Sequence, residues 1–249
     1  MVILKSRDEI AKMREAGHLT ALLLEELERH VLAGVATIEL DSIAEKFILS
    51  NSGVPAFKGY HGYPNAITVS INEEVVHAIP TKRKIKDGDI VSLDVGVIYN
   101  GYVGDAAITV PVGDVGEEKR QLLDVTREAL NRGIDQAKPG NHVGDISHAV
   151  QSHVESHGFS VVRDLVGHGI GRSMHEEPQV PNYGTPGVGV LLQPGMVLAI
   201  EPMVNMGGYN VEILNNKWTV VTVDRKPSAH FEHTVAIMEY GPLILTSIN

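Results

Sequence analysis

A chain of 249 residues buries roughly three-quarters of its unfolded surface, in one large core or two small ones, without disulfides or structural metals as staples. Its 21 Lys and Arg stand against 31 Asp and Glu, a formal net charge of −10, and no segment concentrates the basic residues, which argues against nucleic acid as a partner. The absence of Cys excludes a disulfide framework, a thiolate metal site and a Cys nucleophile, so any metal must be held by His, carboxylate or water.

Apolar stretches such as Leu19 to Leu24 and Gly195 to Ile200 fall far below the ~20 residues that span a bilayer, and Met1 to Ser6 lacks the pattern of a secretory signal. The expected location is the cytoplasm, away from membranes. In chain order, Ser6-Arg7-Asp8-Glu9 reads as a capping box. Ile10, Met13, Ala16, Gly17, Ala21, Leu24, Leu27 and Val31 then recur at three- and four-residue spacing, which predicts a long amphipathic helix. A second helical pattern runs from about Leu40 to Leu49. From Ile67 to Val112 β-branched residues with Gly, Asn and Asp punctuation predict strands. Helical periodicity returns over about 117–137 and 142–157, and from Val161 onward the pattern is mostly strand and turn. This order predicts an α+β fold, a single domain over 1–249 built of two similar halves, roughly 1–115 and 116–249.

A weak internal echo supports the two halves. His77-Ala78-Ile79-Pro80 is matched by His175-Glu176-Glu177-Pro178, and each is followed by a Gly-led strand with an acid six residues beyond the Gly: Gly88 to Asp94 and Gly195 to Glu201. Asp94 lies in the strand Ile90 to Val97, ahead of Asn100-Gly101, a strong two-residue hairpin signal. With that turn, Asp105 falls opposite Gly96 and Asp94 opposite Ala107, so the two carboxylates share one sheet face as diagonal neighbours. They are either solvated acids or partners on one cation, and the small residues Gly96 and Ala107 leave room for something beside them.

Three further residues complete a candidate site. Glu201 is the lone acid in the apolar run Gly195 to Val204, Glu232 lies in the strand-like run Ala229 to Ile237, and His168 sits between glycines in Gly167-His168-Gly169-Ile170-Gly171. One His with four carboxylates suits Mn, Fe(II), Co or Zn, and two divalent ions balance the charge better than one. The remaining His residues read differently. His153 and His157 have helical i, i+4 spacing but lack the His-Glu-x-x-His arrangement, and with His18, His30, His142 and His148 they are expected on the surface or at helix flanks. Lys82, Arg83, Lys84 and Lys86 read as a solvated turn.

Several segments in order carry a resemblance to the type I methionine aminopeptidases over essentially the whole chain. They are Gly59-Tyr60-His61-Gly62-Tyr63-Pro64, Ser70-Ile71-Asn72-Glu73-Glu74-Val75-Val76-His77, Ser92-Leu93-Asp94-Val95-Gly96, Gly104-Asp105, Gly167 to Gly171, Met174-His175-Glu176-Glu177-Pro178, Ile200-Glu201-Pro202 and Phe231-Glu232-His233-Thr234. The resemblance implies the two-halved pita-bread fold and a dinuclear metal site with Asp94, Asp105, His168, Glu201 and Glu232 as ligands, Asp105 and Glu232 bridging. It implies that His77 and His175 flank the scissile peptide without binding metal, and that Glu201 takes a proton from the attacking water. By matching position the Met pocket is Phe57, Tyr60, Tyr63, Thr68, Met174 and Trp218, with Met174, Phe57 and Thr68 departing from residues found in some relatives. Asn72, Glu74 and Ser228 match a monovalent-cation site. The implied reaction releases the initiator Met from nascent chains whose second residue is small, by a monomer working near the ribosome.

Two rivals share this fold. Prolidases and proline-specific aminopeptidases use the same ligands but usually carry an extra N-terminal domain, for which 249 residues leave no space. Non-catalytic binding proteins on the fold are expected to lack ligands and to be basic, whereas all five ligand positions are filled here and the charge is −10. The eukaryotic-type Cys-rich extension and long C-terminal insertion are also missing, as expected of a minimal bacterial form.

Overall fold

The computed structural model describes residues 1–248 and opens with helix α1 (Arg7–Glu28). The Glu9 amide donates to Ser6 Oγ at 3.3 Å and the Ser6 amide donates back to a Glu9 carboxylate oxygen at 2.9 Å, the reciprocal cap that the spacing predicts. The helix buries Ile10, Met13, Ala16, Gly17, Leu23, Leu24 and Leu27. Ala21 is only half-buried, and Leu23 takes the inward position instead, because α1 covers two strands and the second helix and so hides a broader face than one narrow stripe. Val31 is buried beyond the helix end.

Helix α2 (Thr37–Ser50) starts three residues ahead of Leu40. Its cap residue is Ala36, whose amide donates to Glu39 at 2.9 Å, so the usual side-chain start signal is missing. Strands β1 (Val54–Pro55), β2 (Ile67–Ile71), β3 (Glu74–Val76), β4 (Ile90–Tyr99) and β5 (Tyr102–Pro111) follow. Then come helices α3 (Glu117–Gln136) and α4 (Val143–Ser156). The rest is strand: β6 (Ser160–Val161), β7 (Gly167–Gly169), β8 (Glu176–Val180), β9 (Val197–Ile200), β10 (Met203–Asn205), β11 (Val211–Ile213), β12 (Val220–Thr222), β13 (Ser228–His230), β14 (Glu232–Met238) and β15 (Gly241–Ile244).

One antiparallel sheet of nine strands runs β1-β4-β5-β14-β9-β7-β8, with β2 also on β4 and β15 also on β14. Helices α1 and α2 pack on the β2–β4 side through Leu23, Leu27, Leu40, Ile48, Ile67 and Leu93, while α3 and α4 pack through Leu122, Leu130, Val150, Leu198 and Val235. The sheet is continuous across the junction between these regions, where β5 pairs with β14. Gly88 and Gly195, the glycines of the internal echo, have φ of +84° and +94°, and each lies two residues before its strand, β4 or β9. The echo therefore marks two equivalent turns into the sheet.

Gly104 on β5 is where α1 meets that sheet most closely. A Cβ there would lie 2.7 Å from the Gly17 nitrogen and from Thr20 Oγ1, and 2.8 Å from the Ala16 carbonyl carbon. Thr20 Oγ1 already donates within the helix to Ala16 O at 2.9 Å, so the helix backbone itself must lift to accept a methyl group. Gly104→Ala is therefore expected to cost about 1–3 kcal/mol, a fall in Tm of several degrees by thermal melt. An unchanged Tm would show that α1 does not rest on the strand at this point.

Candidate active site

The Asn100-Gly101 turn has φ of +50° and +79°, the left-handed pair that a tight hairpin needs. It fixes the register as the sequence predicts, with Asp94 opposite Ala107 and Asp105 opposite Gly96. Across β5, Ala107 also faces Glu232 on β14, so Asp94 and Glu232 flank one small residue from two sides. His168 on β7 pairs with Ala199 on β9, and Glu201 follows directly after that strand. Five neighbouring strands, β4, β5, β14, β9 and β7, thus deliver five side chains to one place.

Asp94, Asp105, His168 and Glu232 are buried, and the Glu201 side chain is 14% exposed. Ligand atoms of Asp105, His168 and Glu232 all lie within 4.8 Å of one another. His168 Nδ1–H donates to the Gly169 carbonyl at 2.8 Å, which leaves the Nε2 lone pair 3.5 Å from Glu201 Oε1 and 3.8 Å from Asp105 Oδ2. Asp94 Oδ1, Asp105 Oδ1 and Glu232 Oε1 are buried without a hydrogen-bond partner. Burial pushes the Asp94 carboxyl up to about 7. Burial, reinforced by the Asp94 charge, holds Asp105 well above the carboxylate range, and burial with the neighbouring acids does the same for Glu201 and Glu232. Burial, with His175 beside it, lowers His168 to about 4 and keeps its ring neutral. A cluster of orphaned acid oxygens around a neutral imidazole fits divalent metal and little else.

The cluster lines a cleft of about 190 Å³, small beside the ~300–1,000 Å³ of drug-sized pockets. Every site residue expected for metal or substrate lines it. Phe57, Tyr60, Tyr63, Thr68, Met174 and Trp218 supply its more apolar lining, and His77 and His175 line it as well. A Cβ on Gly96 would meet Met174 Cε and Phe57 Cε1 at 2.8 Å, so the room beside Asp94 and Asp105 is taken up by the pocket floor. Tyr63 stands edge-on to Trp218 at 5.1 Å. Tyr60 Oη lies 2.7 Å from His175 Nδ1, and the His175 and His168 rings are 4.2 Å apart. Burial depresses His77 to about 4 and lowers His175, so both rings are neutral near pH 7.

Two residues of this region escaped the sequence reasoning. His61, with φ +47°, lines the cleft beside Tyr60. His230 is buried with neither ring nitrogen bonded, its Nε2 3.9 Å from Glu201 Oε2. Its signal was available: it lies two residues from Glu232, the spacing of one strand face. His153, expected at the surface, is buried at 8% exposure, because α3 packs over it with Arg132 and Glu128 near enough to act on its charge. Lys82, Arg83, Lys84 and Lys86 are exposed as expected. Asn72, Glu74 and Ser228 come together around β3: the Ser228 amide donates to Asn72 O at 2.8 Å, while Glu74 binds Arg83 and the Ile71 amide.

Residues 11–239 match the model of metallopeptidase family M24. The chain belongs to this family. It is 54% identical to methionine aminopeptidase 1 of Bacillus subtilis, over all of both chains. Among solved structures, methionine aminopeptidase from Thermotoga maritima superposes with a TM-score of 0.97 at 50% identity, covering 99% of this chain and 100% of that one. The Pyrococcus furiosus prolidase shares the fold at a TM-score of 0.81 and 24% identity, with 66% of its chain covered. The fold is the pita-bread fold of the M24 family, and Asp105, His168 and Glu232 form a cluster that could hold a divalent metal. Among the described residues no helix is long and apolar enough to cross a membrane.

Because the acids carry raised pKa values, a divalent ion must displace protons to bind them near neutral pH. Calorimetric titration of chelator-stripped protein with Mn is expected to show proton release, and an affinity that rises from pH 6 to pH 8. A Kd independent of pH over that range would remove the acids from the metal site. Bound metal is also expected to raise Tm, since it binds only the folded arrangement.

Proposed function

We propose that the chain is a methionine aminopeptidase that hydrolyses the first peptide bond of chains beginning with Met when the second residue is small. The observation that carries this reading is one small cleft lined both by apolar side chains and by a buried acid and His cluster. Full-length identity of 54% to a named methionine aminopeptidase supports it over prolidase, where the likeness is one of fold. We assign Asp94, Asp105, His168, Glu201 and Glu232 as holders of two divalent ions, since four carboxylates are balanced by two dications; Co, Mn, Fe(II) and Zn all suit the donors. When bound, such ions polarise the scissile carbonyl and lower the pKa of the attacking water.

The residues then divide the remaining work. Glu201, beside His168, receives the proton of the attacking water. Tyr60 keeps its proton, its pKa raised by burial, and its Oη lies 2.7 Å from His175 Nδ1; we assign the tautomer in which Tyr60 donates to Nδ1 and the His175 proton sits on Nε2, where it can donate to the carbonyl oxygen as charge develops there. His77, neutral and with φ +59°, holds the peptide nitrogen. Phe57, Tyr60, Tyr63, Thr68, Met174 and Trp218 receive the Met side chain, the polarisable Met174 against the substrate's thioether. A monovalent cation near Asn72, Glu74 and Ser228, action as a monomer in the cytoplasm close to the ribosome, and one domain over 1–249 with halves near 1–115 and 116–249 belong to the same reading.

Chelator-stripped protein is expected to release Met from Met-Ala-Ser only after Mn or Co is added, and to leave Ala-Pro-Ser intact. Release of Ala from the second peptide would move the chain to the proline-specific branch, and silence on both would favour a binding protein. Asp105→Asn is expected to abolish metal binding and activity together. His175→Ala should instead lower kcat by about 10²–10³ with metal affinity retained; loss of metal binding in that variant would overturn its assigned role.

A further inference from the structure

Lys5 precedes α1 and does not line the cleft, yet it is the only buried Lys or Arg among the described residues. Its side chain is 4% exposed, and its Nζ lies 2.5 Å from Glu176 Oε2, itself on a side chain 8% exposed. Nζ also donates to the Ile3 carbonyl at 3.0 Å. The other Glu176 oxygen accepts from the amides of Arg172 at 3.1 Å and Ser173 at 3.4 Å. Gly171 makes space for the pair, since a Cβ there would lie 2.5 Å from Glu176 Oε1 and 2.7 Å from Lys5 Cε. The lysine is anchored in turn: its amide donates to Gly195 O at 2.7 Å, two residues ahead of β9.

The location of the pair matters more than its strength. Glu176 directly follows Met174 and His175, and its backbone pairs with Gly169, the neighbour of His168. The 171–176 segment is thus tied at one end by Val103, whose amide donates to Gly171 O at 2.9 Å, and at the other by Lys5. A buried ion pair seldom stabilises a fold more than apolar residues of the same size would, so stability alone does not account for this one. Its directional bonds do fix where a backbone runs.

We propose that Lys5 is a positioning residue for His175 and Met174, its buried bond to Glu176 clamping the 171–176 segment that presents both to the substrate. This rests on the aminopeptidase reading above. The test uses the metal-loaded full chain as parent, as Lys5→Met, and as Lys5→Met with Glu176→Leu, which leaves no unpaired buried charge. In Lys5→Met, hydrogen exchange at the Arg172 and Ser173 amides is expected to accelerate about tenfold or more while α3 is unchanged. In the double variant Tm should stay within a few degrees of the parent, yet kcat on Met-Ala-Ser should fall about tenfold or more with the metal Kd unchanged, the scale on which small misplacements act. Parental exchange rates in Lys5→Met, parental kcat in a folded double variant, or a double variant that fails to fold would each overturn the proposal. If the parent itself releases no Met, the aminopeptidase reading fails, and the clamp is still decided by the exchange rates.

Discussion

Four carboxyl groups are gathered at the centre of this molecule with no lysine or arginine among the described residues to pair with them. Such a cluster is unfavourable by itself, since each acid loses hydration and gains like-charged neighbours. The structure tolerates it by leaving the acids to be protonated or bound to metal, and by keeping the nearby imidazoles neutral. His168, His77 and His230 are all depressed by burial, so none of them competes as a cation. The same burial that makes the acids costly keeps His168 neutral, the form in which an imidazole can bind metal.

Much of the rest serves to hold that cluster rigid. The acids stand on strands or at a strand end within one continuous sheet, where register determines position to within a residue. Small residues then let bulky elements close in around them: Gly104 admits α1 onto the strand that carries Asp105, and Gly96 admits Phe57 and Met174 beside Asp94. His77 is held at φ +59°, a conformation that is costly for a non-glycine residue and is found where surrounding structure overrides local preference.

How much of this was legible in the sequence depended on the range of the interaction. The Asn100-Gly101 turn is local, so the facing of Asp94 and Asp105 followed from strand geometry alone. The start of α2 is also local, but its cap relies on Glu39 reaching back to an alanine, which leaves little trace in composition. The five-residue cluster was legible as an odd set of acids in apolar runs, and the resemblance, not periodicity, joined them. What fills the space beside Gly96 depends on Phe57 and Met174, remote in sequence, and no local pattern states it. His153 looked superficial because its own helix gives it a flank position, and only the packing of α3 covers it. His230 shares the run Ala229 to Ile237 with Glu232, and a neutral buried histidine carries no charge pattern to flag it.

The chain termini are tied into the same arrangement. Gly17 on α1 lies against Leu245, whose carbonyl oxygen a Cβ at that position would meet at 2.4 Å, while the adjoining turn of the helix rests on Gly104. The residues after β15 and the opening helix therefore close over β5 together, and Leu245 is tied to β14 through the bond from its amide to Thr234 O. Thr234 in turn accepts from the Asp105 amide at 3.1 Å and donates to the Asp105 carbonyl at 2.8 Å. One short path of contacts thus leads from near either end of the described chain to the backbone of Asp105. An ion that binds only the folded arrangement stabilises all of it, so metal held at Asp105 would also stabilise segments that never touch it.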